Sequence, residues 1–227
     1  VRVCEIFESI QGEGLLAGVP SLFIRASGCN LRCAWCDTPY ASWAPEGEEW
    51  PVDRLAARVR QSRLRHVVIT GGEPMIFADL VPLTRALKDD GRHITIETAG
   101  TVYADAACDL MSISPKMSNS TPHGIEGGRW VEMHERARLQ MDVLRRLIAR
   151  YEYQLKFVVS APEDLDEICS LASGLGAPPE RVLLMPEGVT ADELRERSLW
   201  LVDLCRETGF RYCPRLHIIL YGNRRGV

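Results

Sequence analysis

The sequence predicts an α/β fold, an incomplete (partial) βα barrel left open along one side. Short apolar runs alternate with stretches of helical periodicity along the 227 residues, and such alternation buries both faces of a mostly parallel sheet through right-handed crossovers. About six βα units with additional terminal strands can be counted, fewer than the eight that close a barrel. No internal repeat, low-complexity tract or convincing linker interrupts the pattern, so residues 1–227 read as a single domain. A doubly wound flat sheet is the structural alternative.

Strand-like runs lie at 2–7, 21–27, 66–70, 93–98, 110–114, 153–159, 181–185 and 215–221. Between them 52–65, 79–90, 135–150, 162–175 and 191–208 carry helical patterns. Ser160 with Glu163, and Thr190 with Glu193, have the spacing of a capping box at a helix start. Gly91 and Gly209 suit the left-handed stop beyond a helix end. The stretch 117–130 is the longest irregular segment, and a loop of that length in a compact fold is often a lid or binding loop. In either architecture ligands gather at the carboxyl ends of the strands, so the loops that follow the strands hold the functional candidates.

Hydrophobic content of 46% and charged content of 26% are those of a globular protein. A net charge of −4 argues against a protein whose task is gripping nucleic acid. No window reaches the roughly 18 apolar residues of a membrane span, and the first residues lack the layout of a secretory signal. The expectation is a soluble, cytoplasmic protein with no nucleic-acid and no membrane partner.

Three of the eight cysteines, Cys29, Cys33 and Cys36, crowd into one loop after the strand 21–27. Crowding of that kind suggests metal. The other five, Cys4, Cys108, Cys169, Cys205 and Cys213, are scattered among apolar neighbours, where a thiol behaves as a small hydrophobe. A 4Fe–4S cube needs four iron ligands, so three local thiolates leave one iron free to bind a substrate or cofactor. Structural zinc would need a fourth ligand, and only distant residues such as His66 or Cys213 could supply one.

Other residues stand where chemistry is expected. Gly71-Gly72-Glu73-Pro74 follows a strand, and bare backbone lets a ligand approach closely, although a tight turn reads equally well. Glu97 ends the next strand, where its carboxylate could accept from ribose hydroxyls or cap a helix. Arg25 alternates with Ile24 and Ala26, so it faces the opposite side from them; a buried guanidinium wants an anion, either a ligand carboxylate or an internal ion pair. Gln11 and Gly12 could read a heterocycle edge or simply form a turn. Asp37-Thr38 could be a helix N-cap pair, Thr70 an ordinary strand residue, Lys116 a solvated cation and His217 a core histidine.

The pattern Cys29-x3-Cys33-x2-Cys36 after a first strand, with Trp35 just before the third cysteine, resembles the signature of the radical S-adenosylmethionine (SAM) superfamily. The glycine-rich Thr70-Gly71-Gly72-Glu73-Pro74 is similar to that superfamily's motif for the cofactor's amino group. Ile6 to Gly14, Phe23 to Leu31, Cys36-Asp37-Thr38, Glu97-Thr98 and Ser114-Pro115-Lys116 resemble the 7-carboxy-7-deazaguanine synthase family more closely. That resemblance implies conversion of 6-carboxy-5,6,7,8-tetrahydropterin to 7-carboxy-7-deazaguanine with loss of ammonia, in queuosine and 7-deazapurine biosynthesis. It also implies a 4Fe–4S cluster on the three cysteines whose open iron chelates SAM. The adenosyl radical then takes hydrogen from the pterin carbon bearing the carboxylate and later returns it.

The same resemblance assigns Trp35, Asp37, Gly72, Glu73, Glu97, Ser114, Pro115, Lys116 and Gln154 to cofactor binding, and Ile10, Gln11, Gly12, Arg25, Thr70, His217 and Val227 to the carboxypterin. Thr38 becomes a ligand of Mg2+, a hard ion suited to hydroxyl and substrate oxygens. Val227 enters because relatives bind the pterin with a terminal carboxylate, and Arg224 and Arg225 could instead be a solvated basic end. An electron donor such as flavodoxin and a homodimer are further implications. The rival readings are a glycyl-radical enzyme activase, which shares the triplet but acts on a protein, and a non-enzymatic module stabilised by a closed metal site.

Overall fold

The structure, a computed structural model, describes residues 1–227. Its strands are β1 (Arg2–Ile10), β2 (Pro20–Ala26), β3 (Glu48–Glu49), β4 (His66–Gly71), β5 (His93–Thr98), β6 (Leu110–Ile113), β7 (Tyr153–Val159), β8 (Val182–Pro186) and β9 (Arg211–Tyr212). The helices are α1 (Pro39–Ser42), α2 (Val52–Arg60), α3 (Leu80–Asp89), α4 (Val131–Arg138), α5 (Met141–Arg150), α6 (Leu165–Leu175), α7 (Ala191–Thr208) and α8 (Leu216–Tyr221).

All nine strands form one sheet in the order β3-β1-β2-β4-β5-β6-β7-β8-β9. From β2 to β9 every neighbouring pair is parallel, while β1 pairs with β2 and β3 antiparallel. The parallel strands follow one another without the reversal of order that a doubly wound sheet requires, and β9 does not return to β3. The fold is therefore an open, incomplete barrel.

Strand alternation divides the sheet into two chemistries. Leu22, Ile24, Val67, Ile69, Ile94, Ile96, Met111, Ile113, Leu155 and Phe157 point outward into one large apolar core beneath the helices. Burying such a side chain contributes about 1.5–3 kcal/mol, so this face holds the sheet to its helices. The intervening residues point into the concave side, and there the register lines up Arg25 with Thr70, Glu97 with Ser112, and Ser112 with Gln154. A concave face this polar is built to hold something.

Several expected elements differ. Within the run 215–221, expected as a strand, Leu216–Tyr221 form the helix α8: Pro214 ends the extended chain, and the Ile218 and Ile219 amides donate to the Arg215 carbonyl. The helix expected over 135–150 is two helices, because Leu139 and Gln140 are non-helical and the Gln140 side chain donates to the Arg136 carbonyl at 2.8 Å, closing α4. α2 stops at Arg60 where 52–65 was expected, since the Arg92 guanidinium takes up the Val59, Ser62 and Leu64 carbonyls. The Ser160 and Glu163 box is absent; Asp164 accepts from the Ser160 and Ala161 amides in its place. The box of Thr190 with Glu193 forms as expected, and Gly91 and Gly209 have left-handed φ of 73° and 74°. Segment 117–130 is irregular apart from short 3-10 turns at Ser118–Ser120 and Ile125–Gly128. No helix is long and apolar enough to cross a membrane.

Candidate active site

The carboxyl ends of the parallel strands, the β1–β2 loop, the loop 27–38 and α8 enclose a cleft of about 1520 Å³ counted to its open mouth. Hydrophobic and polar side chains share its lining, as in a pocket that orients a ligand through a few placed polar groups. Cys29, Cys33 and Cys36 line it together with Trp35, Asp37, Thr38, Gly72, Glu97, Ser114 and Lys116. Ile10, Gln11, Gly12, Arg25, Thr70, His217 and Val227 line it too. Glu73, Pro115 and Gln154 do not.

All three thiols are free. Burial pushes the Cys29 thiol up to about 11 and the Cys33 thiol up to about 12, so these sulfurs stay protonated until a cation displaces the proton. Cys36 Sγ lies 3.1 Å from Ser42 Oγ and 3.9 Å from Thr38 Oγ1. Thr38 precedes α1, yet its hydroxyl makes no capping bond. His66 stacks on His93 at the opposite end of the strands, 4.4 Å between ring centroids, and Cys213 accepts from the Gly14 amide at 3.0 Å outside the cleft. No three His, Cys, Asp or Glu side chains converge tightly enough to hold a single metal ion. Three cysteines gathered around Leu31 and Ala99 are a donor set that suits an iron–sulfur cluster, which is held by thiolates.

The glycine-rich loop owes its composition to backbone packing as well as to ligand access. A Cβ on Gly72 would stand 2.1 Å from the Gly28 carbonyl oxygen and 2.6 Å from that of Ala41. Its neighbour Glu73 is fully buried; its carboxylate accepts from the Met75 amide, the Thr98 hydroxyl and the Ala99 amide at 2.8–3.0 Å. Glu73 thus ties the loop after β4 to the end of β5 and has no atom facing the cleft. Gln154 likewise is buried and spent, accepting from the Leu15 amide and donating to Ser112 Oγ, both at 2.7 Å. Lys116 Nζ donates to the Ser114 carbonyl and hydroxyl and sits 5.9 Å from the Trp35 ring, so it is a held cation at the cleft wall.

On the β1–β2 side, Arg25 Nε donates to Glu5 Oε1 at 2.5 Å, and Tyr40 donates to the same oxygen at 2.9 Å. The internal ion pair is real, but it occupies only one edge of the guanidinium; the two Nη groups are unpaired within the chain and Arg25 borders the cleft beside Phe7 and Phe23. Glu97 accepts from Gln11 Nε2 at 3.0 Å and from Thr70 at 2.7 Å, which excludes the helix-cap alternative.

A buried charge chain at the floor escaped the sequence reading. Glu13 accepts from both Lys156 and Arg215, and Arg215 reaches on to Asp37 and to the Gly188 carbonyl. Burial opposes ionisation of Glu13, yet Lys156 and then Arg215 outweigh it and hold the carboxyl far below the usual range. Asp37 is likewise lowered, burial being overcome by Arg215. His217 packs on Gly12, where a Cβ would fall 1.9 Å from Nδ1, and burial lowers its pKa despite Glu13 nearby, so the ring is neutral near pH 7.

Comparison with known proteins agrees with this geometry. The family model of the radical SAM superfamily matches residues 23–138. The 7-carboxy-7-deazaguanine synthase of Rhodopirellula baltica is 45% identical over 99% of this chain and 88% of its own length; that of Halobacterium salinarum is 44% identical over 96% and 90%. Among solved structures, QueE from Escherichia coli superposes with a TM-score of 0.69 at 26% identity, covering 93% of this chain and 92% of that one. The Streptococcus suis SuiB bound to S-adenosylmethionine shares the fold at a TM-score of 0.57 and 14% identity, over 82% of this chain and 48% of its own. This chain, with its three cysteines opening on a polar half-barrel, belongs to the 7-carboxy-7-deazaguanine synthase family of radical SAM enzymes.

Proposed function

We propose that residues 1–227 act as one domain that converts 6-carboxy-5,6,7,8-tetrahydropterin to 7-carboxy-7-deazaguanine with loss of ammonia, feeding queuosine and other 7-deazapurines. The observation that carries this reading is the shared cleft: three free thiols and an arginine with unpaired Nη groups face one space at the carboxyl ends of the strands. Cys29, Cys33 and Cys36 would hold the 4Fe–4S cluster, which with SAM at its open iron supplies one-electron cleavage of the cofactor's carbon–sulfur bond. Trp35, Asp37, Gly72, Glu97, Ser114 and Lys116 bind the cofactor around it, while Glu73, Pro115 and Gln154 shape the backbone behind them.

Arg25 takes the substrate carboxylate through its Nη pair, in the two-pronged geometry a guanidinium favours. Ile10, Gln11, Gly12 and Thr70 border the pterin, with Gln11 and Thr70 oriented by Glu97. Neutral His217 can accept and return a proton at the ring, and Val227 closes the same side. Thr38 would hold Mg2+ together with substrate oxygens. An electron donor such as flavodoxin reduces the cluster, and the active form is a cytoplasmic homodimer. Incubating the anaerobically reconstituted chain with SAM, reductant and the carboxypterin tests the reading: one ammonia released per deazapurine formed supports it, and 5′-deoxyadenosine accumulation without deazapurine overturns it.

A further inference from the structure

The segment 117–138 lines no part of the cleft, which Lys116 just before it borders, yet it grips the cysteine loop. His134 of α4 is completely buried. The Arg32 backbone N–H donates to its Nδ1 at 3.1 Å, and a backbone amide can only donate, so Nδ1 is the bare nitrogen and Nε2 carries the proton. Nε2 lies 2.9 Å from Ser120 Oγ and therefore donates to it, and Ser120 Oγ in turn donates to the Met117 carbonyl at 2.6 Å. Two more bonds run in parallel: the Ala34 amide to the Ser120 carbonyl at 2.8 Å, and Trp35 Nε1 to the Asn119 carbonyl at 3.0 Å. Both ring nitrogens of His134 are thus spent, one on the Arg32 amide and the other on Ser120, whose carbonyl holds the Ala34 amide on the far side of Cys33.

We infer that His134 is a positioning residue for the iron–sulfur site: with Ser120 it sets the backbone between Cys29 and Cys36 in the geometry that three cluster ligands need. The inference rests on the reading that this triplet holds the cluster. A neutral histidine with one committed acceptor and one committed donor orients its partners as it does behind metal ligands elsewhere, here through the peptide instead of through the ligand itself. The irregular segment 117–121 is then a brace, its carbonyls turned toward the cysteine loop.

The test compares the full chain, reconstituted anaerobically, as wild type, His134→Phe, His134→Asn and Ser120→Ala. Three quantities are read: iron per chain, the EPR spectrum of the reduced cluster without SAM, and hydrogen exchange at the Arg32 amide of the metal-free chain. His134→Phe fills the space without an acceptor, and should lower iron content, broaden the spectrum and speed Arg32 exchange about tenfold, the ratio that loss of one such bond allows. His134→Asn, whose Oδ1 can stand near the lost Nδ1, should recover most of all three. A folded His134→Phe chain with wild-type iron, spectrum and exchange overturns the inference, as does His134→Asn failing to improve on it. Should the phenylalanine variant not fold, Ser120→Ala decides: a partial change in spectrum and exchange supports the brace, and identity with wild type refutes it. If the wild type itself takes up no cluster, the reading of the triplet fails, while Arg32 exchange still judges the brace.

Discussion

The expected site residues divide into some that lie behind the cleft with their polar atoms engaged and others that border it with a free edge. Glu73 and Gln154 have every polar atom engaged; Arg25 keeps its Nη pair. Replacing Arg25 by Lys removes the fork while retaining charge, and should raise the KM for the carboxypterin at least tenfold with a smaller change in kcat. Lys156→Met leaves Glu13 with one buried partner fewer, and should cost about 3–5 kcal/mol in chemical denaturation of the metal-free chain. Burial lowers His134 to about 4, against Glu135 and with Arg138 and Lys116. A depressed folded pKa means that its contribution is full above about 6.5 and is lost as pH falls toward 4, up to about 3 kcal/mol. His134→Asn should flatten that part of the acid-unfolding profile relative to wild type. Strand alternation made Arg25 legible and the end of a strand made Glu97 so, and the logic of alternation applies equally to Lys156 inside Leu155 to Val159. It was missed because its partner Glu13 lies 143 residues away in sequence.

Among the elements, those held by their own periodicity were readable and those held by distant side chains were not. α7 spans the expected 191–208 because Thr190 and Glu193 cap it locally and Gly209 stops it. α2 ends early because of Arg92, and α8 is a helix although Leu216 to Tyr221 is an apolar run that periodicity alone cannot separate from a strand. Its placement comes from the Leu216 amide donating to the Gly12 carbonyl at 2.8 Å and from Arg215. At the loop after β4, Gly72→Ala should force its Cβ against the Gly28 carbonyl oxygen of the cysteine loop and the Ala41 carbonyl oxygen of α1. The expected result is a loss of about 1–3 kcal/mol, read as a lowered Tm, with reduced iron uptake.

The whole sheet winds as a barrel but never closes, and the gap is spanned by side chains where strands would otherwise meet. Arg215 joins the β1–β2 loop, the cysteine loop and the loop after β8, while Asn223, Arg224 and Val227 border the cleft. Arg225 lies 3.7 Å over the Tyr40 ring and bonds Glu46 at 3.0 Å, holding that last stretch across the opening. Deleting residues 223–227 should therefore weaken pterin binding while leaving the far-ultraviolet circular dichroism unchanged. With Cys29, Cys33 and Cys36 as its only thiolate ligands, a 4Fe–4S cluster would keep one iron open to SAM. Electron–nuclear double resonance of the reduced, anaerobically reconstituted chain with SAM carrying 15N at its amino group and 13C at its carboxylate measures that directly. Couplings from both labels to the cluster are predicted; a cluster that shows neither, its spectrum unmoved by SAM, would contradict the account.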